Sequence, residues 1–270
     1  MKTLENVVTE IEQGEVSFPT HADVAFRVRL ALDDPDIPLA KAAQVIVAEP
    51  LLAARVVAVA NSVAFNRSGI PVADVRGAVA RLGLKFVRGL ATAVVMRQMA
   101  GSIKSPAYQS LAIRLWEHAV HVAALAHLLA VRFGLAPDVA MFAGIVHEVG
   151  GFYLISKTDV ADNLLAEGSF VSVDTERRIG GAVLGALAVP AEVVVAIKVL
   201  WQGGEIRFPP RTLGDVLLVA NRLTPIRSPL QGPESEGLDL PIDQDVDDQL
   251  AEILERSSDE LEAMTAALRY

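Results

Sequence analysis

The chain has 270 residues, of which 52% are hydrophobic, and it contains no cysteine. This length allows one large domain or two smaller ones, and the composition excludes disorder over most of the chain. The lack of cysteine excludes disulfides, thiolate metal sites and cysteine nucleophiles, which suits a reducing cytoplasm. No apolar run reaches the roughly 18–20 uninterrupted residues of a membrane span, and the first residues do not resemble a signal peptide. We therefore expect a cytoplasmic protein that is not bound to a membrane.

The formal net charge of −9 is distributed unevenly along the chain. Residues 232–270 hold twelve acidic residues and two arginines, whereas residues 51–105 hold eight Lys or Arg residues and the single acid Asp74. The basic excess is too small to indicate a nucleic-acid-binding protein. The acidic tail could instead dock on the basic segment, and its release would then depend on salt.

The first hundred residues have the pattern of short helices joined by tight turns. Thr20 and Asp23 have the spacing of an N-terminal capping box, and apolar residues at intervals of four follow them. Pro38 and Pro50 each mark the start of a further helix. Two more helices are expected to end at Gly83 and Gly101.

The remaining chain is also predicted to be helical. The longest helix is expected over residues 109–133, and the next one begins at Pro137 and ends before Gly150 and Gly151. Further helices are expected near residues 159–167, 174–188, 190–202 and 211–224. After a linker over residues 231–240, the apolar spacing predicts an amphipathic acidic helix that packs on the body or on a partner. The fold class is therefore all-α, and only FVSV at residues 170–173 has an ambiguous strand pattern.

Several segments, taken in order, resemble the HDOD family. They are RVRLALDDPDIPLAKAAQVIVAEPLLAARVVAVANS, AVARLG, KFVRGLA, LWEHAVHVAALA, FAGIVHEVGGFYLI, ERRIGGAVLGALAVPAEVVVAIK and LLVANRL, which together span roughly residues 17–223. The resemblance implies an N-terminal helical bundle over residues 1–105 and an HD-like helical domain over residues 106–230, followed by the linker and acidic helix of residues 231–270. It also implies a bacterial, cytoplasmic protein with a regulatory role in signal transduction.

The related HD superfamily has a metal site that this sequence matches only in part. Such a site needs a histidine, a His-Asp pair on a second helix and a later aspartate, which hold divalent metals that activate water. His118 and His147 match the histidines, whereas Glu148 and Asn221 stand in place of the two aspartates. Glutamate is one methylene longer, and a neutral amide oxygen is a poorer ligand for a hard cation. The resemblance therefore implies a relic site without metal, in which the histidines hydrogen-bond across the helix pair.

Other residues of the same segments depart from the pattern. Gly151 stands where catalytic HD phosphodiesterases tend to carry a lysine, and Arg177 stands where a further histidine is common in the family. His121 shares a helix face with His118, but two ligands do not make a site. His127 points elsewhere and is expected on the surface, and His21 has no evident partner.

A basic stripe is the second candidate site. Arg81, Lys85 and Arg88 follow one another at helical spacing, and Arg76 precedes them by about one turn. On one helical face these cations could converge on a phosphate or on an acidic protein surface. A solvated helix face is the alternative that we favour.

Three functions remain open at the level of the sequence. We prefer a non-catalytic signalling or scaffold module that has no cofactor and binds a partner protein. The second is a metal-dependent phosphohydrolase acting on a nucleotide second messenger, with His118, His147 and Glu148 as ligands. The third is a sensor that binds such a nucleotide without cleaving it, through the basic stripe or the relic pocket.

Overall fold

A computed structural model gives the fold of residues 4–13, 15–16, 23–34, 36–101, 103, 105–157, 173–203, 206–230 and 244–269. Within these residues the structure contains helices and turns but no strand, which confirms the all-α fold class. Several sequence predictions lie outside the described residues. They concern Thr20, His21, the helix at 159–167, the linker at 231–240 and most of the segment at 170–173.

Six helices form the N-terminal part. They are α1 (Leu4–Glu12), α2 (Asp23–Ala31), α3 (Leu39–Val47), α4 (Pro50–Asn61), α5 (Val75–Leu82) and α6 (Leu84–Gly101). The predicted starts at Pro38 and Pro50 are confirmed, because α3 and α4 begin at or directly after these prolines. The sequence prediction missed α1, whose Val7, Val8 and Ile11 are buried where this helix packs against the tenth helix of the chain.

Six further helices form the second part. They are α7 (Pro106–Arg132), α8 (Pro137–Val146), α9 (Val149–Lys157), α10 (Val173–Ala186), α11 (Ala191–Gln202) and α12 (Leu213–Leu223). The 27-residue helix α7 is central, because α8, α9 and α12 all pack against it. A capping box of Thr212 and Asp215 begins α12, in which each side chain accepts a hydrogen bond from the other residue's backbone N–H. This helix therefore starts at a defined position along α7.

The prediction that Gly150 and Gly151 end the helix begun by Pro137 is wrong. Helix α8 already ends at Val146, and both glycines lie buried inside α9. A Cβ on Gly151 would overlap Cδ1 of Leu230, so this glycine permits close packing and does not mark a helix end. The apolar stretch Pro137–Lys157, with a mean hydropathy of 1.5, is long enough to cross a membrane. However, 89% of its most apolar window is buried inside the protein, as in a core helix.

The acidic C-terminal region forms two helices, whereas the sequence pattern predicts one. They are α13 (Gln244–Arg256) and α14 (Ser258–Arg269), which are separated at Ser257. Helix α14 packs against α7 and α4, so it lies on the body of the same chain.

The hydrophobic core continues across residue 105, where the sequence suggests a domain boundary. Helix α6 packs against α8 and α9, and α1 packs against α10. The buried Arg29 of α2 adds a polar connection, because its guanidinium donates to Thr92 Oγ1 at 3.2 Å and to the Ala188 carbonyl at 2.9 Å. The two helical parts therefore share one packed interior.

Candidate functional site

The candidate site depends on a close crossing of α7 and α8. A Cβ on Gly144 would lie 2.5 Å from Ala123 Cα and 2.7 Å from Ala123 N, which no side chain tolerates. Glycine thus lets the two helix backbones touch. His147 follows Gly144 by about one turn, and its imidazole faces that of His118 on α7.

The two imidazoles face each other through the same type of nitrogen. His118 Nε2 and His147 Nε2 are 3.1 Å apart. His118 Nδ1 lies 2.6 Å from the Ile226 carbonyl, and His147 Nδ1 lies 2.6 Å from the Gly144 carbonyl. Because a carbonyl only accepts, each Nδ1 must carry the proton and each neutral ring must present the Nε2 lone pair to the other. Two lone pairs this close require a proton or a cation between them.

Glu148 supplies the third donor of this cluster. Its Oε1 lies 3.6 Å from His118 Nε2 and 3.9 Å from His147 Nε2. All three side chains are buried, with exposed fractions of 1%, 2% and 3% for His118, His147 and Glu148. Burial, with a smaller contribution from His118, lowers the pKa of His147 to about 4 against the opposing effect of Glu148. His147 is therefore neutral at neutral pH, which is the form that binds metals.

The three donors fit one divalent cation with little rearrangement. Two imidazole nitrogens on a tetrahedral ion lie about 3.3 Å apart, because each bond is about 2.0–2.1 Å long. The observed 3.1 Å is close to this separation, and the carboxylate would have to approach by only a few tenths of an ångström. Hydrogen bonds from Nδ1 to carbonyls are also typical of metal-binding histidines. The extra methylene of Glu148 thus does not carry its carboxylate away, contrary to the expectation from the sequence.

Asn221, the fourth predicted residue, lies on α12, which packs along α7. Its Oδ1 is buried and has no hydrogen-bond partner among the described residues. An amide oxygen without a partner can accept a hydrogen bond or coordinate a cation. The ligand atoms of His118, His147 and Glu148 lie within 4.8 Å of one another.

The segment over residues 224–230 covers the cluster. Its Ile226 carbonyl accepts a hydrogen bond from His118 Nδ1–H, and its Leu230 packs directly over Gly151. Any side chain at position 151, including the lysine expected of catalytic HD phosphodiesterases, would require Leu230 and Leu115 to shift. A phosphoester can therefore reach the donors only after this segment moves. The sequence analysis did not predict that residues 224–230 cover the cluster, since no local sequence pattern links this segment to the histidines.

The two other histidines that the structure describes, His121 and His127, do not join the cluster. His121 is half-buried, and its Nδ1 lies 2.7 Å from the Glu117 carbonyl of its own helix. The expectation that His127 is exposed is wrong, because only 8% of this residue is accessible and its ring packs against Phe65 at 5.7 Å. Side chains from outside α7 bury His127, and the helical pattern of α7 does not predict which side chains these are. Arg177, in a position where the family often has a histidine, donates to the Trp201 carbonyl at 3.3 Å.

The prediction that the basic stripe occupies one helical face is also wrong. Arg76 and Arg81 belong to α5, whereas Lys85 and Arg88 belong to α6, and Gly83 between them has a φ of +81°. Arg81 donates to the Ala60 and Ile70 carbonyls at 2.8 and 2.7 Å. Among the other three, Arg88 lies 3.5 Å from Asp33, and Arg76 and Lys85 are exposed.

Part of the stripe lines a small cavity of about 40 Å³ between the two helical parts. Lys85 and Arg88 meet the buried Arg29 there, but Asp138 and Glu192 line the same cavity. The acidic residues offset much of the positive charge that a phosphate would need. The four predicted cations thus do not form a single anion site.

Comparison with known proteins agrees with this architecture. A family model described as the HDOD domain matches residues 18–197. A solved structure from Shewanella amazonensis SB2B, whose name suggests a metal-dependent phosphohydrolase, has a TM-score of 0.65 at 20% identity and covers 98% of this chain and 96% of its own. An HDOD domain protein of unknown function from Geobacter sulfurreducens has a TM-score of 0.57 at 24% identity, with coverage of 98% and 97%.

A third solved structure comes from Marinobacter aquaeolei VT8, and its name suggests a signal transduction protein. It has a TM-score of 0.59 at 22% identity and covers 100% of this chain and 62% of its own. In the comparison with curated proteins, none matches this sequence. At these identities the solved structures show a common fold. The family model covers well over half of the chain, including the cluster of His118, His147 and Glu148, and the chain therefore belongs to the HDOD family.

Proposed function

We propose that this protein is a non-catalytic signal-transduction module that acts by binding a partner protein. The observation that carries the proposal is the burial of His118, His147 and Glu148 behind residues 224–230. Metal-assisted hydrolysis requires the phosphate and a water molecule at the metal. A site whose donors are at most 3% exposed excludes both unless its cover opens.

The buried cluster has a structural role in this proposal. His118 links α7 to the Ile226 carbonyl, and His147 faces it from the end of α8. A proton or cation shared by the two Nε2 atoms would complete the link, so that the three segments are held in one arrangement by buried polar contacts. The name of the Marinobacter relative, which suggests a signal transduction protein, supports the same interpretation.

The geometry of the donors favours a metal-dependent phosphohydrolase as the second candidate. His118, His147 and Glu148 would hold the cation, which would activate water for attack on a phosphoester. The Gly144 and Ile226 carbonyls would keep both imidazoles in the required tautomer. The name of the Shewanella relative suggests this activity for that protein.

Metal analysis combined with a turnover assay separates the two candidates. Full-length protein purified without chelator would be assayed with Mn²⁺ on bis(p-nitrophenyl) phosphate and on cyclic dinucleotides. We expect no turnover above that of His147→Ala, whether or not metal is bound. The control is His121→Ala, which removes an imidazole of α7 that lies outside the cluster. Turnover that His121→Ala keeps and His147→Ala loses would establish the phosphohydrolase instead.

A further inference from the structure

Helix α14 lies in a groove formed by α4, α6 and α7. Its Met264 and Leu268 are buried, and Leu268 shares a small cavity with Leu51 of α4, Leu90 of α6 and Trp116 of α7. These contacts resemble the way in which a separate amphipathic helix lays apolar anchors into a hydrophobic groove. The chain thus carries its own occupant for a surface of this kind.

Two cations lie at the C-terminal end of α14. Arg55 donates to the Ala267 carbonyl at 3.1 Å, and Trp116 Nε1 donates to the Arg269 carbonyl at 3.3 Å. The Arg97 guanidinium lies over the Trp116 ring, 5.7 Å from its centroid. Arg55 and Trp116 thus meet carbonyls that a helix leaves without intrahelical partners. They cap α14 at the negative end of its dipole, and Arg97 lies beside them.

The arginine pair is better suited to a full negative charge than to this helix end. Arg55 is only 8% exposed, and burial together with the neighbouring charge of Arg97 lowers its pKa to about 10. The end of a helix dipole carries only about half an elementary charge. A carboxylate would offset two adjacent cations more fully, and hydrogen bonds between ions are roughly twice as strong as neutral ones.

The contacts between α14 and the rest of the protein contribute limited stability to its docking. The Arg269 side chain pairs with Glu117 at 2.7 Å, but the side chains are 46% and 23% exposed, and such pairs contribute only about 0–1 kcal/mol. The preceding helix α13 encloses a cavity of about 440 Å³ with α7, lined in part by Leu128, Phe133 and Ile253. An element with few buried anchors and an open cavity beside its attachment can separate before the rest of the fold opens.

We propose that the groove between α4, α6 and α7 is the docking site for a partner protein's amphipathic helix that ends in a carboxylate, and that α14 occupies this groove until the partner displaces it. The inference rests on the proposed function in one respect, namely that the protein acts through a partner. Arg55 and Arg97 recognise the carboxylate, and the apolar walls recognise the anchors.

Peptide binding to the full-length protein tests this proposal. The probes are two fluorescent peptides with the sequence of residues 258–269, one with a free C-terminal carboxylate and one amidated. The variant Leu268→Asp places a charge among apolar walls and should release α14. We expect it to bind the carboxylate peptide at least 10-fold more tightly than the wild type does. Amidation of the peptide, or addition of Arg55→Gln, should weaken this binding by roughly 3- to 10-fold.

One further variant is a control for the introduced charge, and a milder double variant replaces Leu268→Asp if needed. Val195→Asp introduces the same charge at a residue of α11 that is 60% exposed and lines neither this groove nor the cavity beside α13, so it should bind like the wild type. The milder pair Met264→Ala and Leu268→Ala replaces Leu268→Asp if the latter fails to fold, as judged by its circular dichroism and melting temperature.

The outcomes distinguish this inference from the proposed function. A folded release variant that binds the peptide no more tightly than the wild type would overturn the groove as a docking site. Equal binding of the amidated and carboxylate peptides would overturn the role given to the arginine pair. Either result leaves the expectation of no turnover at the His118 cluster unaffected, whereas phosphoester turnover would contradict the proposed function without altering peptide binding.

Discussion

Two glycines determine the geometry of the buried cluster. Gly144 brings the backbone of α8 against Ala123 of α7, so that His147 reaches His118. Gly151 leaves the space that Leu230 fills, so that the cover can close over Glu148. Residues without side chains thus decide both how the donors meet and how they are shielded.

The replacement Gly144→Ala tests the first of these roles. We expect it to lower the free energy of unfolding by roughly 1–3 kcal/mol, because the added Cβ must push the two helix backbones apart. Gly181→Ala is the control, since a Cβ there meets nothing within 4 Å on α10 and should stabilise the helix by up to about 1 kcal/mol. Urea denaturation measures both effects, and equal changes in the two variants would contradict this account.

The buried His127 predicts a loss of stability in mild acid. Burial lowers its pKa in the folded state, although Asp138 and Glu260 oppose the shift and Arg67 adds to it. The unfolded chain has the ordinary pKa near 6.5 and takes up the proton first, so stability falls as the pH drops below about 6.5.

The variant His127→Phe lacks the loss of stability that protonation of His127 in the unfolded chain causes. We therefore expect the free energy of unfolding to decrease less between pH 7.5 and pH 5.5 than it does in the wild type. His121→Phe, which changes a half-buried histidine bonded within its own helix, should keep the wild-type decrease. The same slope in all three proteins would show that His127 does not carry the effect.

At the scale of single elements, the polar contacts of α5 with α4 and with the loop before it come from one arginine and not from a shared cationic face. Arg81 joins α5 to the Ala60 carbonyl of α4 and to the Ile70 carbonyl of the connecting loop. Asn61 closes the same loop, because its side chain exchanges two hydrogen bonds of 2.8 Å with the backbone of Val72. The arginine therefore orders a turn, which is a different role from the phosphate binding that its spacing suggested.

A comparison of Arg81→Ala with Arg76→Ala tests this difference within one helix. We expect Arg81→Ala to lower the free energy of unfolding by roughly 1–2 kcal/mol, since two carbonyls lose a charged donor. Arg76 is exposed, and its replacement should change stability by no more than about 0.5 kcal/mol. Thermal and urea unfolding both measure the difference in the free energy of unfolding. Similar losses of stability in the two variants would contradict the separate role given to Arg81 and would favour a shared role for the basic stripe.

At the scale of the whole molecule, the acidic C-terminal region meets the body mainly through apolar and backbone contacts. Met264 and Leu268 are buried, and Arg55 and Trp116 bind carbonyls at the end of α14. Helix α14 does pack against α4, most of which belongs to the basic segment of residues 51–105, but Arg55 of this segment binds a backbone carbonyl and not an acidic side chain. The ion pair between Arg269 and Glu117 has a tail cation on a body acid. The net charge of the tail thus does not describe how it docks.

We therefore expect salt to affect the docking of α14 little. Raising sodium chloride from 50 mM to 1 M shortens the Debye length to about 3 Å, which weakens surface charge pairs but not apolar contacts. The radius of gyration from small-angle X-ray scattering should stay constant over this range. Leu268→Asp, which should release α14 at any salt concentration, gives the expanded reference. Expansion of the wild type at high salt would favour docking through the acidic residues.

The sequence alone determined the helical class, the positions of most helices and the residues of the buried cluster. These features depend on local patterns, such as the apolar spacing of a helix, a proline at its start or the segments WEH and HEVGG. Only the tertiary structure decided that Leu230 covers Gly151, that His127 is buried, and that α14 ends against Arg55. Each of these contacts joins residues far apart in the chain, and a helical pattern specifies which face is apolar but not which segment will pack on it.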